Sequence, residues 1–188
     1  MVSEQQIDCP NCNSPASLTQ LTREIPHFGK LLFSTIACGN CGFKLSDVMQ
    51  TDFQKPMQYS ARINSEEGLK VKIVKSSTAT VEIPELGVLI EPSFASEGYF
   101  SNIEGLLDRI QQVAKILLDS AEKPKEVQTA KKALEKIKKA RNGKLEFTVI
   151  VKDAFGNSAL IGNGVEKKGL SEKEAGKLKK PLVILEKS

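Results

Sequence analysis

At 188 residues, 40% hydrophobic and 27% charged, the chain has the size and composition of one folded domain with a small additional module, which excludes a disordered chain. No apolar run approaches the roughly 18 residues of a membrane-spanning helix, and the polar residues 1–7 do not resemble a secretory signal, so we expect a cytoplasmic protein with reduced thiols. The net charge of +4 is unevenly distributed, because residues 123–144 hold nine Lys or Arg against two Glu (+7), which leaves −3 for the rest.

The first predicted module contains all four cysteines, in two tight pairs. One pair flanks Pro-Asn, the other flanks Gly-Asn, and 25 residues separate them, a spacing typical of a zinc ribbon. Residues 18–25 and 31–37, between the pairs, favour β-structure. Since four thiolates complete the tetrahedral coordination of zinc and leave no position for a catalytic water, we predict one structural Zn2+ with the ligands Cys9, Cys12, Cys38 and Cys41.

The loop between the two cysteine pairs contains Pro26, His27 and Phe28. An exposed Phe28 at its tip favours contact with a protein partner, whereas packing of Phe28 against the metal module or the next domain is the alternative. The ribbon has few basic residues, which argues against a surface that binds nucleic-acid phosphates.

A β-rich segment with an inserted helical hairpin follows. Strands are predicted at residues 69–74, 78–83 and 87–90, and the hairpin at about residues 101–142. Ser101 and Glu104 fit a capping box at its start. Apolar residues then recur at helical spacing on one stripe: Ile103, Leu106, Leu107, Ile110, Val113, Leu117 and Leu118. In the second helix, Pro124 is expected at the start and Gly143 at the end.

The second predicted helix is strongly basic. Its cationic residues are Lys131, Lys132, Lys136, Lys138, Lys139 and Arg141. Such a run indicates either a surface for RNA or an acidic protein, or a solvated helix face with no partner. No aromatic residues alternate with the lysines, which argues against binding of single strands.

After a strand at residues 145–151, the chain contains an Asp-Ala-Phe-Gly-Asn-Ser turn. Its polar residues, Asp153, Gly156, Asn157 and Ser158, suit a structural β-turn, with direct binding as the alternative.

We expect three segments: a zinc ribbon at 1–52, the β-rich domain at 53–165 and a Lys-rich tail at 166–188. The sequence has no phosphate-binding loop, dinucleotide fingerprint or nucleophile elbow, so we predict a protein that is not an enzyme.

Taken in order, these motifs resemble the ZPR-type zinc-finger proteins, in particular their short archaeal members with a single module. The similarity includes both cysteine pairs with their 25-residue interval and the Ile-Pro-His-Phe segment that begins at Ile25. It continues through the strand that ends in Ile83-Pro84-Glu85-Leu86, the helix start Glu104-Gly105-Leu106-Leu107, and the turn at 153–158.

The resemblance implies a β-rich α+β fold, in which an N-terminal zinc ribbon precedes a double-stranded β-helix-like domain with an inserted α-helical hairpin. Eukaryotic members carry two such units and are described as binding translation elongation factor 1-alpha and assisting its folding. For this chain the resemblance therefore implies a zinc-binding helper of that factor. The alternative is an RNA- or ribosome-associated zinc protein that uses the basic hairpin.

Overall fold

The N-terminal module is a four-stranded antiparallel sheet. A computed structural model describes residues 2–25, 29–51, 55–93 and 96–178 of the chain. The strands β1 to β4 pair in sequence order, and their bounds are Val2–Asp8, Pro15–Ile25, Gly29–Ala37 and Lys44–Gln50. The β-stretches predicted at 18–25 and 31–37 are confirmed within β2 and β3. Because the two cysteine turns join β1 to β2 and β3 to β4, both lie at the same end of this sheet.

Among the described residues, the second module contains two sheets, four α-helices and a short 3-10 helix at Pro84–Leu86. Its strands are β5 (Met57–Ile63), β6 (Lys72–Lys75), β7 (Ala79–Ile83), β8 (Val88–Ile90), β9 (Tyr99–Asn102), β10 (Phe147–Asp153), β11 (Ala159–Ile161) and β12 (Val165–Gly169). Its helices are α1 (Glu66–Leu69), α2 (Ile103–Asp119), α3 (Pro124–Arg141) and α4 (Glu172–Gly176). One sheet has the order β12-β5-β10-β7-β8 and the other β11-β6-β9. The predicted fold class, a zinc ribbon followed by a β-rich domain with an inserted hairpin, is confirmed.

The central strand β10 organises the core of the second module. Its side chains alternate between buried and half-buried, with Phe147, Val149 and Val151 facing inward. Asp153 occupies the next inward position, so a carboxylate ends an otherwise apolar stripe. Burial of such side chains contributes about 1.5–3 kcal/mol each, so the three inward side chains of β10 contribute substantially to the core of the module.

The helical hairpin begins one residue later than the predicted capping box. Asn102, not Ser101, caps α2, and its Oδ1 accepts a hydrogen bond of 2.9 Å from Gly105 N. Ser101 instead pairs with Ile73 as part of β9. Asn and Ser are about equally good caps, and Asn102 is the last residue of β9, opposite Lys72, so α2 begins directly where the strand ends. In the described part of the chain, none of the helices combines the length and apolar character that crossing a membrane requires.

Two further segments differ from the sequence-based expectations. The predicted strand 69–74 begins later than expected, because Leu69 ends the short helix α1, which Ser65 caps through Gly68 N, and β6 starts at Lys72. Residues 165–169, expected to border or begin a Lys-rich tail, form β12 and pair with β5. Their side chains are largely exposed, but their backbone completes an edge of the five-stranded sheet.

The two modules pack against each other through β4 of the ribbon. Leu31 and Val48 form a small buried cluster with Val74 and Ala159 of the second module. Gly98 N donates to the β4 carbonyl of Ser46 at 3.1 Å. A Cβ at Gly98 would lie 2.5 Å from Val48 N, so this close approach of two backbones requires glycine.

Candidate functional site

Two turns of similar geometry carry the four cysteines. In each, the first cysteine N–H donates to a carbonyl five residues later, at 2.8 Å for Cys9 and 2.9 Å for Cys38. A residue with positive φ follows the second cysteine of each pair, Asn13 at 56° and Gly42 at 73°. Asn and Gly are the residue types that adopt this conformation most readily, so the local sequence favours both turns.

The four sulfur atoms have the spacing that tetrahedral zinc requires. Cys9 Sγ lies 3.7 Å from Cys41 Sγ, Cys12 Sγ lies 3.7 Å from Cys38 Sγ, and all four lie within 4.8 Å of one another. Zn–S bonds of about 2.3 Å place tetrahedral ligands about 3.8 Å apart, whereas disulfide sulfurs are only about 2.05 Å apart. The cysteines are free thiols whose geometry fits one zinc ion, which confirms the predicted metal.

Each turn also supports the sulfur atoms of the other turn. Asn11 Nδ2 donates to Cys41 Sγ at 3.6 Å, and Asn40 Nδ2 donates to Cys12 Sγ at 3.8 Å. Such hydrogen bonds orient metal ligands and stabilise the charge on a thiolate. Sequence reasoning missed these two asparagines as ligand-supporting residues, although the repeated Cys-x-Asn-Cys pattern was a signal for them.

The thiols have different proton affinities before metal binds. Burial raises the pKa of Cys9 to about 11. Hydrogen bonds from the backbone and side chain of Ser14 lower the pKa of Cys12 to about 6, and a hydrogen bond from Asn11 lowers the pKa of Cys41. Zinc binding requires all four thiolates and displaces the remaining protons.

The predicted partner-binding residues Pro26, His27 and Phe28 lie outside the described residues. The strands that they connect are described: Ile25 and Gly29 pair at the end of the β2–β3 hairpin, and Ser17 and Ala37 pair at the other end, next to the cysteines. Contact of this loop with a partner therefore stays a prediction.

The polar turn after β10 forms a buried hydrogen-bond network. Asp153, only 1% exposed, accepts bonds from Ser76 Oγ at 2.8 Å, Ser158 Oγ at 2.6 Å, Thr78 Oγ1 at 2.9 Å and Phe155 N at 2.9 Å. Of the other two turn residues, Gly156 is buried with a φ of 68°, and Asn157 is half-buried.

A second carboxylate reaches the same segment from the ribbon. Asp47 accepts hydrogen bonds from Ser77 N at 2.9 Å and from Ser77 Oγ at 2.6 Å. The neighbouring Lys75 is 2% exposed and donates to the carbonyls of Ser76 and Glu97. Burial lowers the pKa of Lys75, and the carboxylates of Asp47 and Asp153 oppose that shift. The segment thus ties the ribbon to the second module through buried polar contacts.

Part of the basic helix serves the fold. Arg141 forms an ion pair with Asp108 of α2 and a hydrogen bond of 3.1 Å with Gln111, so it holds the two long helices together. Lys136 Nζ donates to Glu85 O at 2.7 Å. The other four cations of the predicted surface are exposed: Lys131, Lys132, Lys138 and Lys139.

An open groove of about 950 Å3 lies between the long helices and β8. One wall comes from one face of α2 and the two residues after it, another from one face of α3 between Lys125 and Ile137, and a third from residues 87–90; we call it the hairpin groove. The residues of the first wall are Arg109, Ile110, Val113, Ala114, Leu117, Ser120 and Ala121. Val113 and Leu117 line it and are 56% and 59% exposed. The sequence placed both on the apolar stripe of α2, but only the first half of that stripe is buried, which the helical spacing alone does not indicate.

Comparisons with known proteins match both modules. The ZPR1 zinc-finger domain model matches residues 2–53, and the ZPR1 jelly-roll domain model matches residues 67–174. An uncharacterized ZPR1-like protein of Methanocaldococcus jannaschii is 40% identical over 188 residues, covering 99% of this chain and 95% of the relative. A similar protein of Pyrococcus horikoshii is 37% identical, covering 95% of this chain and 83% of the relative.

A eukaryotic relative matches over a smaller share of its length. The zinc finger chaperone zpr1 of Schizosaccharomyces pombe is 28% identical over 158 residues, which is 81% of this chain and 34% of the relative. The match thus covers about one third of that longer protein. The two domain models and the archaeal relatives establish that this chain belongs to the ZPR1 family of zinc-finger proteins.

Proposed function

We propose that this protein is a non-enzymatic, cytoplasmic zinc-binding protein that binds translation elongation factor 1-alpha and assists its folding or assembly. The observation that carries the proposal is the two-module arrangement, a four-sulfur zinc site on a ribbon packed against a jelly roll. The sequence of this unit is similar to part of a relative named as a zinc finger chaperone. Elongation factor 1-alpha is the partner that the family resemblance implies.

The chemistry of the zinc site and of the hydrogen-bond network around Asp153 supports a binding role. Catalytic zinc keeps one coordination position for water, whereas four thiolates fill every position. The buried carboxylate of Asp153 accepts four hydrogen bonds within the fold, so both of its oxygens already have donors. Each cluster is thus suited to hold the structure together and to present surfaces to a partner.

Within this proposal, the loop of Pro26, His27 and Phe28 contacts the factor. An aromatic side chain supplies a large contact area with few rotatable bonds, which is why such residues dominate many interfaces. Replacing Pro26→Ala and Phe28→Ala together is expected to weaken binding about tenfold or more.

The experiment is titration calorimetry of the zinc-loaded protein with elongation factor 1-alpha from the same source. The factor is tested nucleotide-free, with GDP and with GTP, each at low and high salt, and total RNA serves as the control ligand. Salt-resistant binding to the factor that the loop substitutions weaken is the expected result. Absence of binding to every form of the factor would refute the proposed partner. Unchanged affinity of the loop variant would show that the loop does not contact the factor.

The alternative function, association with RNA or the ribosome, is favoured by the four exposed lysines of α3. Neutralising several phosphates releases counterions, so this function requires binding that falls steeply with salt. A variant with Lys131, Lys132, Lys138 and Lys139 all replaced by Ala separates the two functions. The alternative would be supported if the parent protein bound RNA and not the factor, and if this variant no longer bound RNA.

A further inference from the structure

The hairpin groove is an open surface whose lining is mostly apolar. Val113 and Leu117 of α2 and Leu89 of β8 face it, and Leu89 is 59% exposed. Ala130 and Ala133 of α3 line the opposite wall, and such small side chains let another backbone approach closely. Contiguous exposed apolar surface on a soluble protein commonly marks a binding site.

Cations lie at both ends of the groove. At one end the Arg109 guanidinium is 4.4 Å from the centre of the Tyr99 ring, and the Lys75 ammonium is 5.8 Å from the same ring. Lys125 lies at the other end. Stacking on an aromatic ring fixes a guanidinium in place and leaves its N–H groups available to a carboxylate.

The edge of α3 beside the groove extends this positive charge. Lys125, Lys132, Lys136 and Lys139 recur at the spacing of one helix edge, next to the lining residues Thr129 and Ala133. Two glutamates also line the groove, Glu97 and Glu126, and Glu126 pairs with Lys123 at 3.4 Å. Cations therefore outnumber carboxylates around an apolar floor.

We propose that the hairpin groove binds an acidic amphipathic helix supplied by a protein partner. The walls suit this occupant in length, because residues 109–119 of α2 extend about 15 Å at about 1.5 Å per residue, nearly the length of a helix of three turns. Apolar side chains of the bound helix fill the floor, and its Glu or Asp residues face Arg109 and the lysine edge. The inference rests on the proposed function in one respect: a protein must supply the helix.

The test uses a synthetic probe, so that its result is independent of elongation factor 1-alpha. A fluorescein-labelled peptide of about 14 residues carries Leu at helical i, i+3, i+4 and i+7 positions and Glu on both flanks. A second peptide has Lys in place of every Glu, and a third has the first composition in scrambled order. Binding to the zinc-loaded, full-length protein is followed by fluorescence anisotropy. The Glu peptide is expected to bind at least about tenfold more tightly than either control peptide.

Two substitutions on α2 form a matched pair. Leu117→Asp places a charge in the groove and is expected to weaken binding of the Glu peptide at least about tenfold. Ile116 is 65% exposed on the same helix but lies outside the groove lining, so Ile116→Asp should change the affinity by less than about twofold. Arg109→Gln should weaken binding about threefold or more and reduce its salt dependence. Circular dichroism of both Asp variants checks that the fold is retained.

Equal binding of the Glu and Lys peptides, or equal effects of Leu117→Asp and Ile116→Asp, would overturn the inference. Dimerisation of the protein that Leu117→Asp abolishes would also overturn it, because the occupant would then be a second copy of the chain. Groove-specific binding of the peptide without binding to the factor would sustain the groove and refute only the proposed partner. Binding of the factor without groove-specific binding of the peptide would refute the inference about the groove and support the proposed partner.

Discussion

Removal of zinc is expected to unfold residues 8–50 and to leave the jelly-roll module folded. Among the described residues, the buried cluster around the metal has three members, Cys9, Ala16 and Cys38, whereas the core cluster of the second module has 20. A structural zinc ion contributes about 10–16 kcal/mol in small zinc modules, so the ribbon depends on it. Hydrogen exchange read by mass spectrometry should show that a chelator removes the protection of β2 and β3, while β10 keeps its protection.

A pair of variants separates the effect of losing a zinc ligand from the effect of losing a hydrogen bond to a ligand sulfur. Cys38→Ser removes a ligand and should reproduce the effect of the chelator. Asn40→Ala removes one hydrogen bond to a ligand sulfur and should lower zinc affinity about 10-fold to 100-fold while the ribbon still folds at saturating zinc. Unchanged protection of β2 and β3 after complete removal of zinc would show that the ribbon does not depend on the metal.

Asp153→Ala is expected to destabilise the jelly-roll module by about 3–5 kcal/mol. The substitution removes the acceptor of four hydrogen bonds and leaves the buried hydroxyls of Ser76 and Ser158 and the half-buried hydroxyl of Thr78 without it. It also removes one of the carboxylates near the buried ammonium of Lys75. In a chain of this size, the loss corresponds to a Tm lower by roughly 6–20 °C in scanning calorimetry of the zinc-loaded protein.

The matched control for this prediction is Asp119→Ala, which removes an exposed carboxylate at the end of α2. Surface changes of this kind alter stability by no more than about 0.5 kcal/mol. If both variants melted at the same temperature as the parent protein, the network around Asp153 would not be a structural element, and its turn would become available for a binding role.

Features encoded by neighbouring residues could be predicted from the sequence. The two cysteine pairs indicated the metal, because ligand type and spacing are local properties. The same holds for α2 and α3: Pro124 is the first residue of α3, and Gly143 follows its end with a φ of 65°. Residues 18–25 and 31–37 were identified as strands by composition, since β2 and β3 need no distant partner to complete a hairpin.

Features that depend on distant residues could not be predicted. Ser76 and Asp153 are 77 positions apart, and no local pattern indicates that they share a hydrogen bond. The polar β12 carries no apolar alternation, and only its pairing with β5 makes it a strand. The periodicity of α2 showed an apolar stripe along the whole helix, but how much of that stripe is covered depends on where β8, β9 and α3 end.

X-ray absorption at the zinc edge of the purified protein tests most directly whether the metal site is closed and structural. Four sulfur ligands at about 2.3 Å, with no nitrogen or oxygen ligand, are the expected result. This result would agree with the cluster of Cys9, Cys12, Cys38 and Cys41 sulfurs within 4.8 Å of one another. Three sulfur ligands with a nitrogen or oxygen at about 2.0–2.2 Å would contradict it, because a site with an exchangeable position is suited to catalysis.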